Sequence, residues 1–142
     1  MISPFSFRSL VCLAVVVGLT SCATSGHRFA EPSADWQSRS GQLLYHSEKM
    51  TLIGEVLVRS SSKGDFELTF TKGPGVTLLM VRQDAGFVRV SGPLARGSWS
   101  GTPASAPSRL RGWVELRDVL TKSGGKSAVE HRANGDTFRF RF

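Results

Sequence analysis

The stretch Phe66-Glu67-Leu68-Thr69-Phe70-Thr71 puts an apolar side chain on every second residue, with Glu67, Thr69 and Thr71 between them. That alternation marks a strand with one face on a core and the other in water. The neighbouring segments extend the pattern. Upstream, Leu52-Ile53-Gly54-Glu55-Val56-Leu57-Val58-Arg59 is β-branched and broadly apolar, and Ser60 to Gly64 is a turn. Downstream, Lys72-Gly73-Pro74-Gly75 breaks the run and Val76 to Arg82 forms the next strand. Asp84-Ala85-Gly86 turns the chain into Phe87-Val88-Arg89-Val90, which ends at Gly92-Pro93. Strands joined by short turns make an antiparallel meander. Ser98-Trp99-Ser100 is the candidate for a further short strand.

Residues 101–108 read as a loop, and Ser108 is placed to cap a helix beginning at Arg109. Leu110, Trp113, Leu116 and Leu120 then share one helical face, with Arg111, Glu115, Arg117, Asp118 and Lys122 largely elsewhere. Gly112 weakens that helix, and Val114-Glu115-Leu116-Arg117 also fits strand alternation. The helix is the preferred reading of residues 109–121. Ser127 to Arg132, the Asn134-Gly135 turn and Thr137 to Phe142 form a closing hairpin, with Phe138, Phe140 and Phe142 on one face. The expected fold is mainly β (α+β): a curved antiparallel sheet of six or seven strands, a half-barrel, with one late packed helix. Residues 42–142 make up this single domain.

The start of the chain has a different character. Arg8 precedes the apolar run Leu10 to Val17, and Gly18, Thr20 and Ser21 follow it. This order is that of a secretory signal peptide over residues 1–21. The run is well short of the roughly 20 residues that cross a bilayer. Leu19-Thr20-Ser21-Cys22 resembles the lipobox of bacterial lipoproteins. The resemblance implies diacylglycerol on the Cys22 thiol, cleavage before Cys22, and acylation of the new amine. Several acyl chains, at about 0.8 kcal/mol per buried CH₂, hold a protein firmly to a membrane. Ala23 replaces the aspartate that retains such proteins in the inner membrane of enteric bacteria, which points to the outer membrane and a periplasm-facing domain. Residues 22–41 are rich in Ser, Ala, Gly and Pro and read as the lipidated N-terminus and a flexible tether.

Beyond residue 21 the chain keeps 17 of its 18 Lys and Arg against 11 Asp and Glu. The basic residues are spread rather than gathered on one motif, which argues against nucleic acid and suits anionic headgroups or another acidic envelope component. Solubility alone is an equally good use of the charge. Cys12 falls in the signal, so Cys22 has no disulfide partner within the chain. His27, His46 and His131 are far apart in sequence, with His27 in the tether, and read as surface histidines rather than metal ligands. Glu55 and Glu67 could be pictured as paired carboxylates but read as solvent-face residues. Gly97-Ser98-Trp99-Ser100-Gly101 precedes a loop, not a helix, so it is no nucleophile elbow. No catalytic residue, metal or cofactor is expected. Phe138-Arg139-Phe140-Arg141-Phe142 resembles the closing strand of outer-membrane barrels, but the strands are too short and too few for a barrel. One aromatic face on a core is the preferred reading.

The lipobox, tether, antiparallel strands and late helix together resemble the lipoprotein-localisation factor family (LolA and LolB). Gly92-Pro93-Leu94 looks like that family's Gly-Pro-Leu-Gly segment, with Ala95 in place of its second glycine. Gly54-Glu55-Val56 looks like its early Gly-led strand. The resemblance covers residues 50–142 and implies a concave face that binds lipid or lipoprotein acyl chains. Val56, Val58, Phe66, Leu68, Phe70, Leu78 and Met80 would line it, covered in part by Trp113 and Leu116. Leu94 is the candidate for the family's membrane-facing loop leucine. The alternative is an interaction protein with the same fold, a filled core, and a basic surface that meets another envelope protein.

Overall fold

The computed structural model describes residues 26–142. The expected signal peptide and Cys22 lie outside the described residues. The strands are β1 (Gln37–His46), β2 (Thr51–Ser60), β3 (Phe66–Thr71), β4 (Thr77–Gln83), β5 (Val88–Gly92) and β6 (Gly97–Gly101). Helix α1 (Ser108–Lys122) follows, then β7 (Ala128–Ala133) and β8 (Asp136–Arg141). All eight strands form one open antiparallel sheet in the order β6-β5-β4-β3-β2-β1-β8-β7. The fold is therefore mainly β, a curved sheet with a single α-helix.

The topology explains the helix. β1 to β6 add one after another by hairpins, so the chain reaches one edge of the sheet at β6. The last hairpin must join the other edge, beyond β1. The connection that crosses between them is α1, and it buries its apolar stripe on the face it crosses. Leu110, Trp113, Leu116 and Leu120 are all buried, as their spacing requires. Gly112, the residue that weakens the helix in sequence, is also buried, and a Cβ there would stand 2.8 Å from the Phe138 ring. The closing turn has φ 52° at Asn134 and 84° at Gly135, the left-handed pair that a tight hairpin needs.

The sheet's register fixes its two faces. Val56, Phe70 and Leu79 pair across successive strands, as do Val58, Leu68, Val81 and Val90; with Leu43, which pairs with Phe140, and with Phe138 they point toward α1. This is the concave face, and it holds the core. The convex face carries the opposite set, including Ile53, Glu55, Leu57, Arg59, Glu67, Thr69, Met80, Arg82 and Arg89.

Several expectations are corrected. The sheet has eight strands rather than six or seven, because Gln37–His46, half of it assigned to the tether, is a ten-residue strand at the heart of the pairing. The domain therefore begins before residue 42. Pro107, not Ser108, occupies the N-cap of α1, and no side chain caps it. Met80 pairs with Thr69 on the convex face, away from the expected lining. Leu78 sits opposite the bulge between Phe70 and Thr71, at the rim of the core rather than in it. Leu94 packs against the core and does not protrude.

Candidate functional site

The expected ligand face is a real cluster. Val56, Val58, Phe66, Leu68 and Phe70 share the concave face with Trp113 and Leu116 above them. Its surface is covered, however. Trp113 is 1% exposed and Leu116 is 0% exposed. The Trp113 ring meets Phe138 edge-on at 4.8 Å, Tyr45 at 4.9 Å and Phe70 at 6.0 Å. α1 therefore covers the middle of the concave face with the protein's own side chains.

Open space remains at the two ends of α1. Near its C-terminus a cleft of ≈ 290 Å³ is lined by Asp35, Arg39, Val58, Phe66, Leu120 and Gly124. Arg39 stacks 3.8 Å over the Phe142 ring and donates to Ser123 Oγ at 3.4 Å and to the Lys126 carbonyl. It thereby ties β1 to the loop after the helix.

Near the N-terminus of α1 a cleft of ≈ 370 Å³ contains Tyr45, Glu48, Met50, Leu94, Arg109 and Asp136. The Tyr45 hydroxyl donates to Asp136 Oδ2 at 3.1 Å. Burial, and then the Asp136 charge, push the tyrosine up to about 12. Burial also raises the Asp136 carboxyl, with Glu48 adding to the rise and the Tyr45 hydrogen bond opposing it. The pair is held by geometry, but no nucleophile is hydrogen-bonded to a base beside it. Among the described residues no group of three or more His, Cys, Asp or Glu is placed to hold a metal.

The convex face contains a site that sequence reasoning missed. Glu67 is only 5% exposed and pairs with Arg59, and with Arg82 Nε at 3.5 Å. It is therefore neither a solvent-face carboxylate nor a partner of Glu55. The segment before β1 lies over this face. His27 Nε2 contacts Asp84 Oδ2 at 2.5 Å, and its ring stacks on Phe87 at 4.4 Å. Phe29 packs on Phe87 at 5.9 Å and on the guanidinium groups of Arg82 and Arg89 at 5.3 and 5.5 Å. Arg82 also donates to the Ala30 carbonyl at 3.4 Å. The expected free tether is, over residues 27–31, a docked strap. His131 is half-buried and meets Glu115 on α1 at 2.8 Å, so it too is more than a surface histidine. The signal for the strap was Phe29, an aromatic in an otherwise polar stretch.

Compared with known proteins, the chain matches no family model and no curated protein. No helix among the described residues is long and apolar enough to cross a membrane.

Proposed function

We propose that the chain is a bacterial lipoprotein, held to the outer membrane by lipid on Cys22, whose domain is a non-catalytic module that recognises another envelope component through its surface. The lipobox Leu19-Thr20-Ser21-Cys22 after a short apolar run supports the anchor. One observation favours recognising over carrying: α1 covers the concave face, with Trp113 and Leu116 buried and the Trp113 ring against Phe70 and Phe138. A carrier needs room for an acyl chain in its folded state, and here that room is taken by side chains of the protein itself.

The test is a purified mature chain with Cys22→Ser, titrated with a fluorescent fatty acid, beside in-cell photocrosslinking of the anchored protein. The proposal expects no saturable fatty-acid binding and a single crosslinked envelope partner. Saturable binding at one site, lost on Phe70→Asp, overturns it.

The second reading is the acyl carrier that the resemblance to the lipoprotein-localisation factors implies. Its support is the cleft at the C-terminal end of α1, where Val58 and Phe66 already line open space beside Gly124 and Gly125. Lifting α1 about those glycines would uncover Val56, Leu68 and Phe70.

A further inference from the structure

We propose that the convex face of the sheet rests on the surface of the bilayer that carries the anchor, held there by the docked strap, with anionic phospholipid headgroups as its ligand. This rests on the reading of Cys22 as the lipidated residue. The strap is fixed from His27 onward by Asp84, Phe87, Arg82 and Arg89. Only four residues lie between Cys22 and His27, and the five steps between them, at about 3.4 Å each, reach at most roughly 17 Å. A free tether over residues 22–41 would reach roughly 65 Å by the same measure. A small domain is about 30 Å across, so the side bearing the strap is the side that can touch the membrane. The helix side is turned away.

Leu57 is 36% exposed and Ile53 is 58% exposed, each on β2 and each pointing away from the core. Leu57, Thr69 and Met80 form a row across β2, β3 and β4, two residues along from the row Arg59, Glu67, Arg82 and Arg89 that supports the strap. Leu44 pairs with Ile53 on β1. The soluble face of an antiparallel sheet is ordinarily polar. Here Leu57 and Met80 flank Thr69 beside a row of arginines, with the exposed Glu55 next along β2. Arg89 on β5 and Arg141 on β8 share the face, and neither has an acidic partner among the described residues. Apolar side chains at the acyl boundary with arginines at headgroup level are the composition of an interfacial surface.

The experiment uses two forms of the protein. The mature Cys22→Ser chain is sedimented with vesicles of equal parts phosphatidylglycerol and phosphatidylcholine, and with phosphatidylcholine alone. Binding is expected only to the first, weakening with salt, and falling about fivefold for each of Arg89→Gln and Arg141→Gln. The anchored chain is then labelled with a polarity-sensitive fluorophore at Leu57→Cys or Lys122→Cys. Its own Cys22 is consumed by the lipid, so each variant offers one reactive thiol. Residue 57 is expected to report an apolar setting quenched by brominated lipid, and residue 122 on the helix to report water. The reverse pattern overturns the proposal. So does burial of residue 57 that persists in detergent and grows with protein concentration, which assigns the face to a second copy. The mass of the N-terminal peptide reads the anchor separately: a missing diacylglycerol sinks the Cys22 assignment, while the vesicle data still judge the face.

Discussion

Tyr45 is the only tyrosine in the chain, so its phenolate absorbance can be followed without interference from another tyrosine. Burial and Asp136 hold it at about 12 against an ordinary 10.0. A raised acid favours the folded state while it stays protonated. Stability from Tyr45 is therefore complete below pH 10 and lost between there and about 12. A spectrophotometric titration of the folded protein should find no phenolate near pH 10, and a urea-unfolded sample should titrate there. Tyr45→Phe should cost about 1 kcal/mol, since it strips a hydrogen bond from a partly buried carboxylate. A second residue points the other way. Gln83 faces the core beside Phe66 and Val88, and its Oε1 is buried with no partner among the described residues. Gln83→Leu should raise stability by up to about 1 kcal/mol in urea denaturation. At this scale the sequence was legible in β3, where Phe66, Leu68 and Phe70 alternate with polar residues. It was not legible in β4, because Leu78, Leu79, Met80 and Val81 are apolar at both parities. With a bulge at Phe70/Thr71 shifting the register, composition could not say which pair faced inward.

α1 was readable because its burial follows helical spacing. Trp113→Ala should cost about 3–5 kcal/mol by removing the largest buried side chain and leaving a cavity among Tyr45, Phe70 and Phe138. Gly112→Ala, though favourable for an isolated helix, should destabilise by about 1–3 kcal/mol because Phe138 must move aside. Both are read by thermal or urea unfolding. β1 was hidden for the opposite reason. Its first half, Gln37-Ser38-Arg39-Ser40-Gly41, has no apolar alternation, and its place comes from backbone pairing to β2 on one side and β8 on the other. Gly41 fits there because a Cβ would run into the Arg141 carbonyl, so the residue that suggested a flexible tether permits a close strand approach instead. The strap is fastened by a group that titrates. Burial works to raise the Asp84 carboxyl, but the Gly86 amide, His27 and the Phe87 amide more than offset it and leave it below its ordinary value. A depressed carboxylate stabilises above the ordinary value, and that contribution is lost as pH falls through the lowered one. Asp84→Asn at neutral pH should imitate the acid state. Hydrogen exchange should then quicken at residues 27–31 while β3 stays protected.

At the scale of the molecule, α1 joins opposite edges of one sheet and also closes its concave face, so filling the core and completing the topology are one event. This sets the two functional readings apart energetically. A fatty acid that entered the concave face would have to displace Trp113 and Leu116, exposing apolar surface worth about 1.5–3 kcal/mol for each buried side chain. It would have to regain that in its own contacts. A ligand that binds the folded state at a hundred times its Kd adds about 2.7 kcal/mol to stability. For a domain of this size that is roughly a 10 °C rise in Tm, at about 4 °C per kcal/mol. The mature Cys22→Ser chain heated with excess fatty acid below its micelle concentration should therefore show no rise, because the space is already occupied. A reproducible rise of that order, abolished by a disulfide that locks α1 to the sheet, would show that the helix lifts and would return the domain to the carrier reading. An unchanged Tm beside phosphatidylglycerol-dependent vesicle binding would place recognition on the outer surface of the sheet, where Leu57, Ile53, Arg89 and Arg141 need no rearrangement to meet a partner.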